Sequence, residues 1–200
     1  MIGIKLWGGL GNQFFQYAFG MYLSDRRGEK PLFYGEILKE KKLDLNYFNV
    51  SIDILSQEVE KKYGGNSHYF FIYRIKRKLI QLFPFCNKRL LVEYNLEFKK
   101  NISDKFVLFD GYWQSYKYLQ PIEKKLRTQF VLNKDIIPNI EIYNEIRRTN
   151  SISLHIRRGD YLYRKNAKIF ENISMEYYEK TINFFTKKMA TLFFLFFLMI

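Results

Sequence analysis

The chain has 200 residues, of which 48% are apolar and 19% aromatic, and this composition excludes a disordered chain because it supplies ample surface for a core. One cysteine and two histidines exclude an internal disulfide framework and a typical structural zinc site, and they favour a reducing, cytoplasmic compartment. The formal net charge of +13 leaves three kinds of partner open: nucleic acid, an anionic membrane and a phosphorylated small molecule.

A strand, a turn and a helix are predicted at the start of the chain. Apolar residues from Ile2 to Trp7 indicate a short strand, and the run Gly8-Gly9-Leu10-Gly11 requires a sharp turn. Apolar residues at helical spacing then predict a helix from Leu10 that ends near Gly28. No apolar segment of secretory length precedes Asn12, so no signal peptide is predicted.

The glycine turn is the first candidate binding site. Free backbone N–H groups where a strand meets a helix favour an anion, and Gly9 and Gly11 would let a ligand approach the backbone. The amides of Asn12 and Gln13 can bind a sugar hydroxyl or a phosphate. The third glycine of a dinucleotide fingerprint is absent because Phe14 stands there, so a tight structural turn remains the alternative.

Further elements are predicted up to residue 139. Strands are expected at Leu32–Tyr34 and Phe106–Phe109, the second of which delivers Asp110 to its end. Glu123–Phe130 is expected to be helical, Leu43–Leu55 has no clear assignment, and Asn133–Asn139 reads as a linker. The linker divides the chain into residues 1–138 and 139–200.

Residues 61–105 form a basic stretch with eleven Lys and Arg against three acidic residues. Phosphate neutralisation with aromatic stacking would suit a nucleic acid, and a basic amphipathic helix would suit an anionic membrane. The apolar residues recur at helical intervals, which favours a helix with a buried apolar face and a solvated basic face. These apolar residues are Phe71, Ile72, Ile75, Leu79 and Leu82.

A second candidate site lies beyond residue 139. A helix over Ile140–Arg148 precedes an alternating strand over Ser151–Ile156, and Ser174 is the expected N-cap of a later helix. The strand leads into His155-Ile156-Arg157-Arg158-Gly159-Asp160, whose guanidiniums suit a phosphate pair and can stabilise a diphosphate leaving group. A surface turn with an Arg–Asp pair is the alternative. No Asp-x-Asp pair occurs, so a metal-independent site is predicted.

The tail from Met189 to Ile200 has no charge, glycine or proline. As a helix it would be about 18 Å long, too short for a hydrocarbon core of about 30 Å. A buried strand, a truncation or frame-shift artefact and a membrane-surface anchor are the three interpretations.

Three segments together resemble the bacterial alpha-1,2-fucosyltransferases of glycosyltransferase family 11. They are Gly-Gly-Leu-Gly-Asn-Gln-Phe-Phe-Gln-Tyr-Ala at 8–18, Asp-Gly-Tyr-Trp-Gln-Ser at 110–115 and His-Ile-Arg-Arg-Gly-Asp-Tyr at 155–161. The resemblance covers the chain to about Phe185. It implies a GT-B-like α/β fold in which two Rossmann-like halves face a cleft, the second half being incomplete in this chain.

The resemblance also implies an activity. Fucose would pass from GDP-fucose to the 2-hydroxyl of a galactose-containing acceptor, with inversion and without a metal or other cofactor. Arg157 would contact the diphosphate and stabilise the leaving group. The other implied donor-site residues are His155, Arg158, Asp160, Gly9, Gly11 and Asn12. Asp110 is a candidate for the base, and a turn-capping role is its alternative.

The tail departs from the family pattern. Phe193–Phe196 is similar to a family strand, but Phe197-Leu198-Met199 stands where Ser-Asp-Asp is expected. Forty-five residues follow His155, and a βαβ unit alone takes roughly 30. A truncated or frame-shifted enzyme is therefore expected.

Two other functions stay open on the sequence alone. An inactive remnant would bind a nucleotide or a glycan without transferring a sugar. A nucleic-acid-binding protein is the third reading, although the resemblance predicts no nucleic acid partner. Peripheral association with the inner face of the cytoplasmic membrane is expected to involve the basic stretch near Arg74.

Overall fold

The computed structural model describes residues 1–39, 43–63, 75, 77–80, 82, 89–93, 95, 97–136, 139–157, 173–189 and 192–199. The chain divides into two compact units, Met1–Ile136 and Ile137–Ile200. The linker predicted at Asn133–Asn139 contains a 3-10 turn, Lys134–Ile136, and residues 137 and 138 lie outside the described set.

The first unit is built on a parallel sheet. Its strands are β1 (Ile2–Lys5), β2 (Pro31–Tyr34), β3 (Leu90–Val92) and β4 (Leu108–Asp110), in the spatial order β2-β1-β4-β3. Strand β1 pairs in parallel with both of its neighbours, β2 and β4, so that Gly3 lies opposite Leu32 on one side and Leu108 on the other. The α/β class predicted from the sequence is confirmed.

Helices connect and cover these strands. They are α1 (Leu10–Arg27), α2 (Glu36–Lys39), α3 (Gln57–Lys62), α4 (Tyr116–Leu119) and α5 (Glu123–Gln129), with 3-10 turns at Asp44–Tyr47 and Gln120–Ile122. The strand, turn and helix predicted at the start of the chain are confirmed. Helix α1 ends at Gly28, whose φ of +66° is the left-handed conformation that glycine adopts without a Cβ penalty.

The core of this unit lies between α1 and the sheet. Ile4 of β1 and Phe109 of β4 are fully buried, as is Phe19 on the inner face of α1. Phe19 stacks on Trp113 with ring centroids 4.1 Å apart and an interplanar angle of 6°. The packing therefore fixes α1 and the segment that follows β4 against the same sheet.

One strand predicted from the sequence has different bounds in the structure, and one stretch left unassigned pairs with β2. The strand predicted at Phe106–Phe109 begins at Leu108 and includes Asp110. Phe106 donates its N–H to the Ser103 carbonyl in a local turn, and Leu108 is the first residue in register with β1 and β3. Within the unassigned stretch from Leu43 to Leu55, the Leu55 N–H donates to the Phe33 carbonyl at the edge of β2. Strand β3 was not predicted.

The prediction that the apolar residues of the basic stretch form a buried helix face is wrong. Residues 75, 77–80 and 82 are helical, but Ile75, Leu79 and Leu82 are 46%, 52% and 70% exposed. Ile80 is the buried side chain here, so this helix turns a different side inward. Phe71 and Ile72 lie outside the described residues.

The second unit holds a parallel pair of strands. Helix α6 (Ile140–Arg148) is capped by the Asn139 side chain, which accepts the Ile142 N–H at 3.0 Å. Strand β5 (Ser151–Arg157), helix α7 (Met175–Lys188) and strand β6 (Phe193–Met199) follow, with β5 and β6 parallel. The predicted α6 and β5 are confirmed. Ser174 occupies the N-cap position of α7 as predicted, but its side chain makes no capping hydrogen bond.

The tail forms strand β6, which supports the strand interpretation. Ser151 pairs with Phe193 at one end of the ladder and Arg157 with Met199 at the other. The strand is not fully buried, because Phe194 is half-buried and Phe196 is mostly exposed. In the described part of the chain no helix has both the length and the apolar character needed to cross a membrane.

Candidate functional site

The order of the strands marks one end of the first unit as the place for a ligand. From β1 the chain crosses to β2 on one side, whereas β4 lies on the other side of β1. In parallel α/β sheets a ligand binds beyond the carboxyl ends of the strands where the connections diverge in this way. The segments that follow β1 and β4 are the glycine turn and residues 111–115, so two of the three family-like segments meet here.

The three glycines of the turn have different roles. Gly8 has a φ of +79°, and a Cβ there would lie 2.6 Å from Asn12 Nδ2, so the turn itself requires this glycine. A Cβ at Gly9 or Gly11 would meet no atom within 4 Å apart from its chain neighbours and the backbone of its own helix. Gly9 and Gly11 therefore border open space at the N-terminus of α1, where backbone N–H groups remain available to a ligand.

Two buried glutamines hold the turn in shape. Gln13 is fully buried, and its Nε2 donates to the Gly8 carbonyl at 2.9 Å. Gln16 accepts the Trp7 N–H at 3.0 Å and donates to the Trp7 carbonyl at 3.2 Å. The prediction that Gln13 binds a ligand is wrong because its amide serves the turn; Gln16 was missed, since no spacing rule identifies it.

A hydrogen bond joins the glycine turn to the segment after β4. Gln114 Nε2 donates to Asn12 Oδ1 at 2.7 Å, across 102 positions of sequence. Beside it the rings of Trp7 and Tyr112 stack with centroids 4.1 Å apart. Gln114 is exposed and Asn12 half-buried, so this amide pair lies at the surface beside Gly9 and Gly11.

Asp110, the candidate for the base, lies in a buried charged cluster. Its side chain is 1% exposed, and its Oδ2 lies 3.4 Å from Lys5 Nζ and 3.7 Å from Arg77 Nε. Burial lowers the pKa of Lys5, and the neighbouring carboxylate of Asp110 opposes that shift. The cations at both sides support an electrostatic role for Asp110; its role as a base stays a prediction.

The second unit carries the other candidate residues. Leu154 and Ile156 of β5 are buried and His155 is exposed, which confirms the predicted alternation of this strand. The Tyr178 hydroxyl of α7 donates to the His155 carbonyl at 3.3 Å. Arg157 is the last residue of β5, at the carboxyl end of a parallel strand. Arg158 and Asp160 lie outside the described residues. The donor-site roles of these two residues, of His155 and of Arg157 stay predictions.

Among the described residues no group of three or more His, Cys, Asp or Glu side chains is placed to hold a metal ion. The metal-independent reaction expected from the sequence stays a prediction.

Comparison with known proteins places these segments in a family context. The model of Glycosyl transferase family 11 matches residues 1–198. The O-antigen biosynthesis glycosyltransferase WbnK of Escherichia coli is 29% identical, over 88% of this chain and 65% of the relative. An alpha-1,2-colitosyltransferase of Escherichia coli is 31% identical, over 95% of this chain and 66% of the relative. The chain thus spans just under two thirds of each relative, and no solved structure matches it.

Proposed function

Because the chain belongs to glycosyl transferase family 11, we propose that it transfers L-fucose from GDP-fucose to the 2-hydroxyl of a galactoside, with inversion and without a metal ion. The observation that carries the proposal is the Gln114–Asn12 hydrogen bond, which unites two family-like segments at the carboxyl ends of β1 and β4. The alpha-1,2 linkage in the name of one relative supports the position of attack. An O-antigen enzyme among the relatives supports a surface glycan as the product.

The two units take different parts of the reaction. Each is one Rossmann-like half of a GT-B-like enzyme, the first serving the acceptor and the second the diphosphate of the donor. In the first unit the Asn12–Gln114 pair offers both donors and acceptors to sugar hydroxyls, and Gly9 and Gly11 leave room for the ring. We therefore assign Gly9, Gly11 and Asn12 to the acceptor sugar and not to the donor, where the resemblance put them. In the second unit Arg157 binds the diphosphate, and His155, Arg158 and Asp160 shape the loop around it.

The reaction is a single displacement at C1 of fucose. The acceptor oxygen attacks the face opposite GDP, the bond from C1 to the phosphate oxygen breaks, and GDP leaves with that electron pair. The hydroxyl proton passes to a base, for which Asp110 is the candidate. Arg157 stabilises the negative charge that develops on the departing diphosphate, and this stabilisation lowers the barrier.

Incubation of the full chain with GDP-fucose and lactose tests the proposal. We expect a fucosyl-lactose product whose linkage, read by NMR, is alpha-1,2. A parallel reaction with GDP-colitose tests the donor, because one relative is named for colitosyl transfer; preference for that donor would overturn the assignment to fucose. Binding of GDP without transfer from either donor would overturn the enzymatic proposal in favour of a binding protein.

The substitution Gly11→Ala separates the ligand-binding role of this glycine from a structural one. A methyl group here meets no side chain and no other segment within 4 Å beyond its chain neighbours, and alanine favours a helix over glycine by up to about 1 kcal/mol. We therefore expect an unchanged or higher melting temperature together with a raised KM for lactose. A lower melting temperature with an unchanged KM would show that Gly11 serves the fold.

We also propose that the protein is cytoplasmic and binds the inner face of the membrane through the helix around Ile75, Leu79 and Leu82. These side chains lie at helical spacing and are all exposed. Lys78 is exposed beside them, and Arg74 and Lys76 add charge in the sequence. An exposed apolar stripe flanked by cations matches the chemistry of an anionic lipid surface.

Flotation with vesicles tests this membrane binding. We expect the chain to float with vesicles containing phosphatidylglycerol and to float less as salt rises, since salt screens the charges. The double substitution Leu79→Glu and Leu82→Glu should abolish flotation. Equal recovery of wild type and double variant with the vesicles would contradict the assignment to this helix.

A further inference from the structure

Glu93 is a buried carboxylate directly after β3 that makes a double contact with the turn after β4. Its Oε2 accepts the Tyr112 N–H at 2.6 Å and the Trp113 N–H at 3.0 Å. Its own N–H donates to the Asp110 carbonyl at 2.9 Å. Main chain and side chain of one residue therefore hold the end of β4 and the first part of the turn. A carboxylate binds such N–H groups more strongly than a neutral acceptor does.

The turn that Glu93 binds has an unfavourable backbone conformation. Trp113 has a φ of +56°, and it is the non-glycine residue with positive φ among the described residues. A large L side chain rarely adopts this conformation, so neighbouring contacts have to compensate for its cost. The Trp113 ring is fully buried against Phe19, and the backbone N–H of Trp113 is one of the two groups bound by Glu93.

The residue before this turn is shaped by the same carboxylate. A Cβ at Gly111 would collide with Glu93 Cβ and would lie 2.7 Å from Glu93 Oε2. Glycine at this position is therefore what permits the close approach of the Glu93 side chain. The positive φ of Trp113, the glycine at position 111 and the two hydrogen bonds to Glu93 therefore belong to one local arrangement.

We propose that Glu93 is a positioning residue for the transfer reaction: it holds residues 111–113 so that the next residue, Gln114, meets Asn12. Gln114 directly follows the strained Trp113, so a change in the turn moves the side-chain amide of Gln114 away from Asn12. In the structure Gln114 Nε2 lies 2.7 Å from Asn12 Oδ1. Glu93 acts through Gln114 and does not touch the substrate. The inference rests on the proposed function, because the amide pair matters for activity only if a sugar binds there.

Two conservative substitutions of Glu93 distinguish the effect of side-chain length from the effect of charge. Glu93→Gln keeps an oxygen at the same distance and loses the charge. Glu93→Asp keeps the charge and withdraws the oxygens by about one C–C bond length, roughly 1.5 Å. Positioning through the two hydrogen bonds predicts that Gln keeps the turn with weaker hydrogen bonds, because its oxygen is neutral, and that Asp disrupts the turn. A purely electrostatic role predicts the reverse order.

Hydrogen exchange of the Tyr112 and Trp113 amides is the readout that does not depend on activity. We expect exchange at both amides to accelerate at least about 10-fold in Glu93→Asp, with a much smaller change in Glu93→Gln. Glu60→Gln is the matched control, since Glu60 is an equally buried carboxylate on α3. This control should leave the exchange of Tyr112 and Trp113 unchanged even if it lowers the melting temperature.

Kinetics with GDP-fucose and lactose complete the test. A displacement of about 1 Å in a positioning group costs up to about 100-fold. We expect kcat/KM to fall about 10- to 100-fold in Glu93→Asp, mainly through KM for lactose, and to stay within about 3-fold in Glu93→Gln. Unchanged exchange and unchanged KM in Glu93→Asp would overturn the inference. If wild type transfers no sugar, the proposed function fails, while the exchange data still decide whether Glu93 holds the turn.

Discussion

The substitution Arg157→Ala is expected to lower kcat for transfer by about 100- to 1,000-fold, the usual cost of losing one group that stabilises developing negative charge. Arg157 ends β5, and the carboxyl end of a parallel strand is where such groups act in α/β enzymes. A guanidinium matches two phosphate oxygens at once, so alanine also removes the fork that orients the diphosphate. Steady-state kinetics with GDP-fucose and lactose provide the measurement.

Arg148→Ala is the matched control for this substitution. Arg148 lies in the same unit, and its guanidinium is exposed on α6 and paired with Glu145. Loss of an exposed ion pair costs little, so activity and fold should both remain near wild type. Near-normal turnover of Arg157→Ala in a protein with unchanged circular dichroism would contradict the role assigned to Arg157.

The substitution Trp113→Ala is expected to lower the free energy of unfolding by about 3–5 kcal/mol, the usual range for removing a large buried aromatic side chain. Trp113 stacks on Phe19 and meets Phe109 and Tyr118 edge-on, with ring centroids 6.2 and 6.5 Å away. Its ring connects the turn after β4 to α1, so transfer should be lost together with stability. Urea denaturation followed by far-UV circular dichroism measures the effect.

Tyr116→Ala is the control for Trp113→Ala. Tyr116 lies three residues further along the chain and is 67% exposed at the start of α4. Substitutions of exposed side chains usually change stability by less than about 0.5 kcal/mol. Equal urea midpoints for the two variants would show that Trp113 does not anchor the turn.

The local elements could be predicted because their signals lie close together in sequence. Alternation in Ile2–Trp7 and in Ser151–Ile156, with helical spacing after Leu10, specified β1, β5 and α1. Gly28 specified the end of α1 because a left-handed residue there needs no Cβ. The two segments that follow β1 and β4 were also identified in advance, but nothing in their sequences places Asn12 against Gln114.

The features that escaped prediction depend on tertiary contacts. Strand β3 has three residues, Leu90–Val92, too few to show a period. Tertiary packing determines the different environments of Gly8 and Gly11 and the burial of Gln13. The neighbouring residues in the sequence do not reveal this packing. The helix around Ile80 shows the same limit, since spacing identifies a face but not the side that the sheet covers.

The charged cluster and Glu93 illustrate why site residues are harder to infer than elements. Lys5 and Asp110 are 105 positions apart, and Glu93 is 20 positions from Trp113, yet both pairs are in contact. Part of the positive charge of the chain is thereby used inside the protein, where Lys5 and Arg77 neutralise Asp110. From the net charge alone, this positive charge was attributed to binding of external partners.

Titration of ¹⁵N-labelled protein with lactose in the presence of GDP tests most directly where the reaction site lies. The side-chain amide signals of Asn12 and Gln114 should shift in a saturable way, because their hydrogen bond lies at the proposed sugar site. The amide of Asn139, which caps α6, should not move. Saturable shifts confined to other residues, with the Asn12 and Gln114 amides unmoved, would contradict a sugar site at the ends of β1 and β4.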